Sequence, residues 1–150
     1  MKLLNSLLIL FTVALLFTSC GNKSDARSEL MKCNKAWSDR TEYEKIIGKW
    51  CGEKYQPGVG RKAVTRNMKF QGVICFYSDN TMKEFQRSES YVDSETEMDS
   101  GTNVQVNDGI LTYVSANYGN QSYNISVSET SLTIDGKISI SMSDSYSKCN

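Results

Sequence analysis

The chain has 150 residues, enough for one domain with a core of its own and too few for two. Seventeen basic residues are matched by seventeen acidic ones, so no net field gathers nucleic acid. No histidine occurs anywhere, which excludes serine–histidine and cysteine–histidine catalysis and removes the commonest metal ligand; no enzyme, cofactor or metal is expected.

Met1-Lys2 is a small basic start, Leu3 to Phe17 is an apolar run, and Thr18-Ser19 are small residues before Cys20. Together they read as a secretory signal over 1–19, short of the ~20 apolar residues a membrane span needs. The run Leu16-Phe17-Thr18-Ser19-Cys20 resembles the lipobox of bacterial lipoproteins. That resemblance implies that Cys20 carries lipid, palmitate included, and that the leader is removed. Gly21 in place of an aspartate then implies transport to the outer membrane of a Gram-negative envelope, facing either side. The plainer alternative is an ordinary signal peptide with a coincidental cysteine.

Residues 20–43 read as a lipidated tether and a short helix. Asp25 can cap a helix in which Ala26, Leu30, Cys33 and Trp37 share one face, a stripe expected to pack on the outside or end of the following domain. Ser38 to Glu44 is polar and reads as a loop.

From residue 44 onward the chain alternates in short apolar–polar runs. Strands are predicted over 46–55, 67–77, 81–92, 102–107, 110–115, 121–128, 131–135 and 137–146, joined by turn chemistry at Ser78-Asp79-Asn80, Asn107-Asp108-Gly109, Ser128-Glu129-Thr130 and Asp135-Gly136. About eight such strands close into an all-β, up-and-down antiparallel barrel. Successive turns alternate between its ends, so the long connections 56–66, 93–101 and 116–120 gather at an open mouth and the tight turns at a closed base.

Alternation assigns the faces. Ile46, Gly48 and Trp50 point inward with Cys51 outside; Met68, Phe70, Ile74 and Phe76 point inward with Cys75 outside. Tyr123, Ile125, Val127, Leu132, Ile134, Ile138, Ile140 and Met142 continue the inner face, and Phe85 with Tyr91 is taken as inward on 81–92. With Cys20 lipidated, four cysteines remain in an oxidising compartment. Three pairings are open; Cys51 with Cys75 on adjacent strands is preferred, which leaves Cys33 for Cys149.

Two loops at the mouth carry opposite charge: Lys54, Arg61, Lys62, Arg66 and Lys69 on one, Asp93, Glu95, Glu97 and Asp99 on the other. They could pair as a salt-sensitive lid; the simpler reading, solvated loops, carries more weight. Gly58-Val59-Gly60 is followed by Arg61-Lys62 and not by the Lys-Ser/Thr pair of a phosphate loop.

Gly48-x-Trp50 in an apolar run, Phe76-x-x-Asp79-x-Thr81, and the late Tyr123-x-Ile125 and Leu132-x-Ile134 resemble the lipocalin-like domains of bacterial lipoproteins, within the lipocalin (calycin) group. The resemblance spans roughly residues 44 to 146 of a barrel domain placed at 44–150, and implies a small apolar or amphipathic ligand lined by Trp50, Phe70, Phe76, Tyr123 and Ile140. Each of these could equally be plain core. The rival reading is a filled barrel that engages another envelope protein or a host protein through its loops, as a binding or inhibitory module.

Overall fold

The strands of the computed structural model are β1 (Gly48–Tyr55), β2 (Phe70–Phe76), β3 (Met82–Ser88), β4 (Glu95–Asn107), β5 (Ile110–Ser115), β6 (Gly119–Val127), β7 (Ser131–Asp135) and β8 (Ser145–Lys148). Each pairs antiparallel with the next, and β8 returns to β1, closing an up-and-down barrel. The structure describes residues 27–55, 70–88, 95–136 and 145–149. The leader, Cys20, Asp25, Ala26, the connection 56–69 with its basic residues and Pro57, and Ile138, Ile140 and Met142 lie outside the described residues.

The period-two pattern positions the core. On β7, Leu132 and Ile134 are fully buried while Ser131 and Asp135 are exposed; on β5, Leu111 and Tyr113 point inward and Ile110 and Val114 outward. Asp108 and Gly109 both take positive φ, 50° and 72°, which matches the twist of a tight hairpin between β4 and β5. In Phe76-x-x-Asp79-x-Thr81, Asp79 Oδ1 accepts from the Thr81 amide (3.2 Å) and hydroxyl (2.5 Å), and Asn80 takes φ 59°. The motif is therefore a side-chain-locked turn.

A short helix does precede the barrel, but not over 25–37. One helical turn at 27–29 is followed by an extended strap, then by a 3-10 turn (Trp37–Asp39) and by α1 (Glu42–Ile46). Tertiary bonds displace the predicted helix: the Leu30 carbonyl accepts from Ser78 N (2.8 Å), and the Arg40 guanidinium takes the carbonyls of Cys33 and Lys35 (2.9 Å each). A helix this short has too little of its own to compete with them. Leu30 and Met31 instead cover Val73, Cys75, Tyr77 and Phe85 on the outer wall, whereas Trp37 lies beneath Arg40 and Lys45. α1 carries a capping box: Glu44 N donates to Thr41 Oγ1 (3.2 Å) and Thr41 N to Glu44 Oε2 (2.9 Å).

Other boundaries move as well. Ile46 ends α1 rather than starting β1, and still reaches the core. β4 begins at Glu95 and β6 at Gly119, so 93–101 is mostly strand and the β5–β6 connection is a tight 116–118. The Ser115 hydroxyl closes that turn by accepting from Asn117 N (3.1 Å) and Tyr118 N (3.0 Å). The predicted contrast between rims is thus absent at 116–118. On β3 the inward residues are Met82 and Glu84, and Phe85 faces outward opposite Val73, under the strap. A register shift between Glu84 and Phe85 against β4 accompanies that phase.

The cysteine pairing is corrected. Cys51 bonds Cys149, with Cα atoms 5.1 Å apart, and Cys33 and Cys75 are free thiols. The last strand is predicted to end at 146, short of Cys149, whereas β8 runs to Lys148. Closure gives β1 a second neighbour: Cys51 faces Ser147, and Cys149 N donates to the Lys49 carbonyl (3.2 Å). Burial pushes the Cys75 thiol up, so it is a poor nucleophile. In native protein a thiol reagent should modify half-buried Cys33 promptly and Cys75 only on unfolding, as read by peptide mass mapping; prompt labelling of Cys75 would contradict this packing.

Candidate functional site

The interior combines an apolar cluster with a polar group towards the upper rim. The cluster holds Ile46, Trp50 (β1), Ile74 and Phe76 (β2), Met82 (β3), Val104 and Val106 (β4), Leu111 and Tyr113 (β5), Leu132 and Ile134 (β7) and Tyr146 (β8), with Tyr123 packed against it. Trp50 and Phe76 are 0% exposed, so these two predicted lining residues form a sealed floor.

Gly48-x-Trp50 forms the plug of that floor. The Trp50 indole donates to the Ile46 carbonyl at 2.7 Å, tying β1 to the end of α1. The Lys148 ammonium stands 3.7 Å from the Trp50 ring centroid and donates to the Ile47 carbonyl at 3.3 Å. Gly48 is needed for its φ of +137°, and its missing side chain leaves the space in which Lys148 Nζ sits, 2.8 Å from where a Cβ would be. Tyr43 of α1 packs beside the plug and donates its hydroxyl to the Tyr77 carbonyl.

These contacts have a pH signature. Burial, then Arg40, pushes Lys148 down from 10.5 to about 8. Burial, then Asp79, pushes Tyr43 up from 10.0 to about 12. Between pH 8 and 10.5 the unfolded chain holds the Lys148 proton that the folded chain has lost, so this group's contribution to stability rises with pH there. Tyr43 acts oppositely: its contribution is present below 10 and is lost as pH rises through 12. Melting curves of wild type should therefore gain on Lys148→Met between pH 8 and 10.5; a constant gap would contradict the buried lysine.

The upper layer is polar. Glu84 and Asp99 are cross-strand partners on β3 and β4, both inward, 1% and 5% exposed. Ser115 Oγ donates to Asp99 (2.7 Å to Oδ2), Ser100 N donates to Oδ1 (2.9 Å), and Asn117 Nδ2 reaches Oδ1 at 3.3 Å. Gly101 lets the Tyr113 ring lie against β4, where a Cβ would stand 2.7 Å from its edge. The Tyr113 and Tyr123 rings have centroids 6.2 Å apart, and Tyr123 donates to Gln121 Oε1 at 2.6 Å. Burial pushes the Tyr113 phenol far up, with Tyr123, Glu84 and Asp99 adding to it, so it is a neutral hydrogen-bonding group at any ordinary pH.

Of the predicted lining residues, Trp50 and Phe76 belong to the floor, and half-buried Tyr123 bridges floor and upper layer. Phe70 is half-buried at the far end of β2, and Ile140 lies outside the described residues. Alternation from Leu111 would have marked Tyr113 and Ser115 as inward. No sequence signal marked Glu84, since Phe85 was taken as the inward residue.

The basic loop of the proposed lid and Asp93 lie outside the described residues; the described acids have partners of their own. Glu95 pairs on the outer wall with Lys49 (2.7 Å) and Arg87 (3.0 Å to Nε), Glu97 pairs with Lys83, and Asp99 points inward. Burial raises the Glu95 carboxyl, but its two cations outweigh that and hold it below its ordinary value. Comparison of the chain with protein-family models, with curated proteins and with solved structures finds no match.

Proposed function

We propose that this protein is a lipid-anchored, non-enzymatic barrel of the lipocalin-like lipoprotein kind, which holds a small amphipathic molecule in the upper half of its interior. One observation carries the reading: buried phenols, a hydroxyl and paired carboxylates face the barrel interior beside a fully buried apolar cluster. An apolar body would rest towards the floor and Tyr123, and a hydrogen-bond-donating head would meet Asp99 and Glu84. The Gly48-x-Trp50 plug under Lys148 supports the family resemblance, because the lipocalin pattern asks for a late cation, an arginine there, stacked on that tryptophan. The lipobox ending at Cys20, followed by Gly21, supports a place at the outer membrane.

The test is uptake of N-phenyl-1-naphthylamine, a neutral aryl amine whose emission rises in apolar surroundings. Saturable uptake is expected, weakened several-fold by Tyr123→Ala with the far-ultraviolet circular dichroism unchanged. Absence of saturable uptake would overturn the reading. It would favour the second one, a filled barrel that binds another protein, for which exposed Ile110, Val114 and Tyr118 on and beside β5 are the supporting observation.

A further inference from the structure

The strap that leads into the barrel fixes where a tether can leave it. Arg27 is held at the turn between β2 and β3 by three contacts: its guanidinium lies 3.5 Å from the Tyr77 ring centroid, Nη1 pairs with Asp79 (3.3 Å), and Nη2 donates to Thr81 Oγ1 (3.1 Å). Three residues on, the Leu30 carbonyl accepts from Ser78 N (2.8 Å). That turn belongs to the base, the end at which α1 feeds β1 and at which the β4–β5 and β6–β7 turns lie.

Resting on the reading that Cys20 is lipidated, we infer that the base of the barrel is its membrane-facing surface and that the upper rim points away from the bilayer. Six residues, and so seven Cα–Cα steps, separate Cys20 from Arg27, a reach of at most about 25 Å. The exit sits level with Val104, whose amide donates to the Asn80 carbonyl (2.9 Å). From Val104 up to Glu95, β4 climbs nine residues, about 30 Å along the strand and about 23 Å along a barrel axis. A tether pulled straight against the wall would only just draw level with Glu95. Facing the base towards the lipid needs no such stretch.

Charge does not compete with this geometry. In the strap and α1, Arg27, Lys32, Lys35, Arg40 and Lys45 stand against Glu29, Asp39, Glu42 and Glu44, with Asp79 of the adjoining turn paired to Arg27, so neither attraction nor repulsion of an anionic surface dominates there. The partner is the bilayer that carries the anchor, met by an electrically balanced base at the distance the tether allows. A ligand entering the upper rim would then come from the aqueous side.

The membrane-extracted protein in phosphatidylethanolamine–phosphatidylglycerol nanodiscs, with a gadolinium chelate on a fraction of the lipid headgroups, reads the orientation. Amide relaxation at Asp108 and Gly109 should be enhanced several-fold more than at Glu95 and Thr96, the two ends of β4, and the gradient should survive high salt. Inserting twenty Gly/Ser residues after Asp25 should flatten it. A uniform or reversed gradient on acylated protein would overturn the orientation alone, as would a gradient that persists in the lengthened tether. An unacylated Cys20 by mass spectrometry would overturn the anchoring reading, and this inference with it.

Discussion

Replacing Cys149 with serine is expected to cost about 4 to 5 kcal/mol, because Cys51–Cys149 closes a loop of 98 residues and the lost constraint on the unfolded chain grows with loop length. That is a large share of the few to fifteen kcal/mol that hold a small domain together. The effect is local as well as global. Among the described residues β8 has four, and they meet β1 and β7 through three register pairs each, so the cross-link adds directly to the hold on this seam. Denaturant unfolding should show the full loss in Cys149→Ser and none in Cys33→Ser, and hydrogen exchange at 145–148 should quicken first. A loss under 1 kcal/mol would mean that the seam between β1 and β8 is held by its backbone pairs instead.

The second large effect is at the plug. Trp50→Ala removes a fully buried indole from the floor and should cost about 3 to 5 kcal/mol. The same change leaves the Ile46 carbonyl without the indole N–H and Lys148 without the ring it stands over. Trp50→Phe keeps most of the buried carbon and loses the donor, so about 1 to 3 kcal/mol is expected. Thermal and denaturant unfolding of the pair separate the two contributions. Equal losses would assign the whole effect to the hydrogen bond, and a loss under 1 kcal/mol in the alanine variant would place Trp50 outside the core.

The fold was legible where local chemistry and burial agree. Strict alternation at Leu132-x-Ile134, the Asp108-Gly109 turn and the Asp79–Thr81 lock each need only a few neighbouring residues, and those residues specify one outcome. The α1 start is also written in the sequence, as Thr41-x-x-Glu44, a capping box inside a stretch whose polarity alone reads as a loop. What could not be read depends on contacts distant in the chain. The strap forms because Ser78 and Arg40 take carbonyls that a helix would have used. The disulfide follows from closure of β8 onto β1, and Lys148 reaches Trp50 only because that closure brings the last strand back to the first.

The candidate site was legible in part for the same reason. Periodicity assigned Trp50, Phe76 and Tyr123 to the inner face but not their heights in the barrel, and height is what separates a sealed floor from a chamber wall. Glu84 was concealed by Phe85, an aromatic residue that packs outside because Leu30 and Met31 cover it there. An amphipathic strand with its apolar side out is not readable until its cover is known.

The most direct test of a receptive upper layer above a sealed floor is side-chain and amide NMR of the protein titrated to saturation with N-phenyl-1-naphthylamine. The account predicts shifts at Glu84, Asp99, Tyr113, Ser115 and Tyr123, with the Trp50 indole N–H resonance unmoved and still protected from exchange. Displacement or loss of protection of that indole resonance, with the upper residues unchanged, would contradict it.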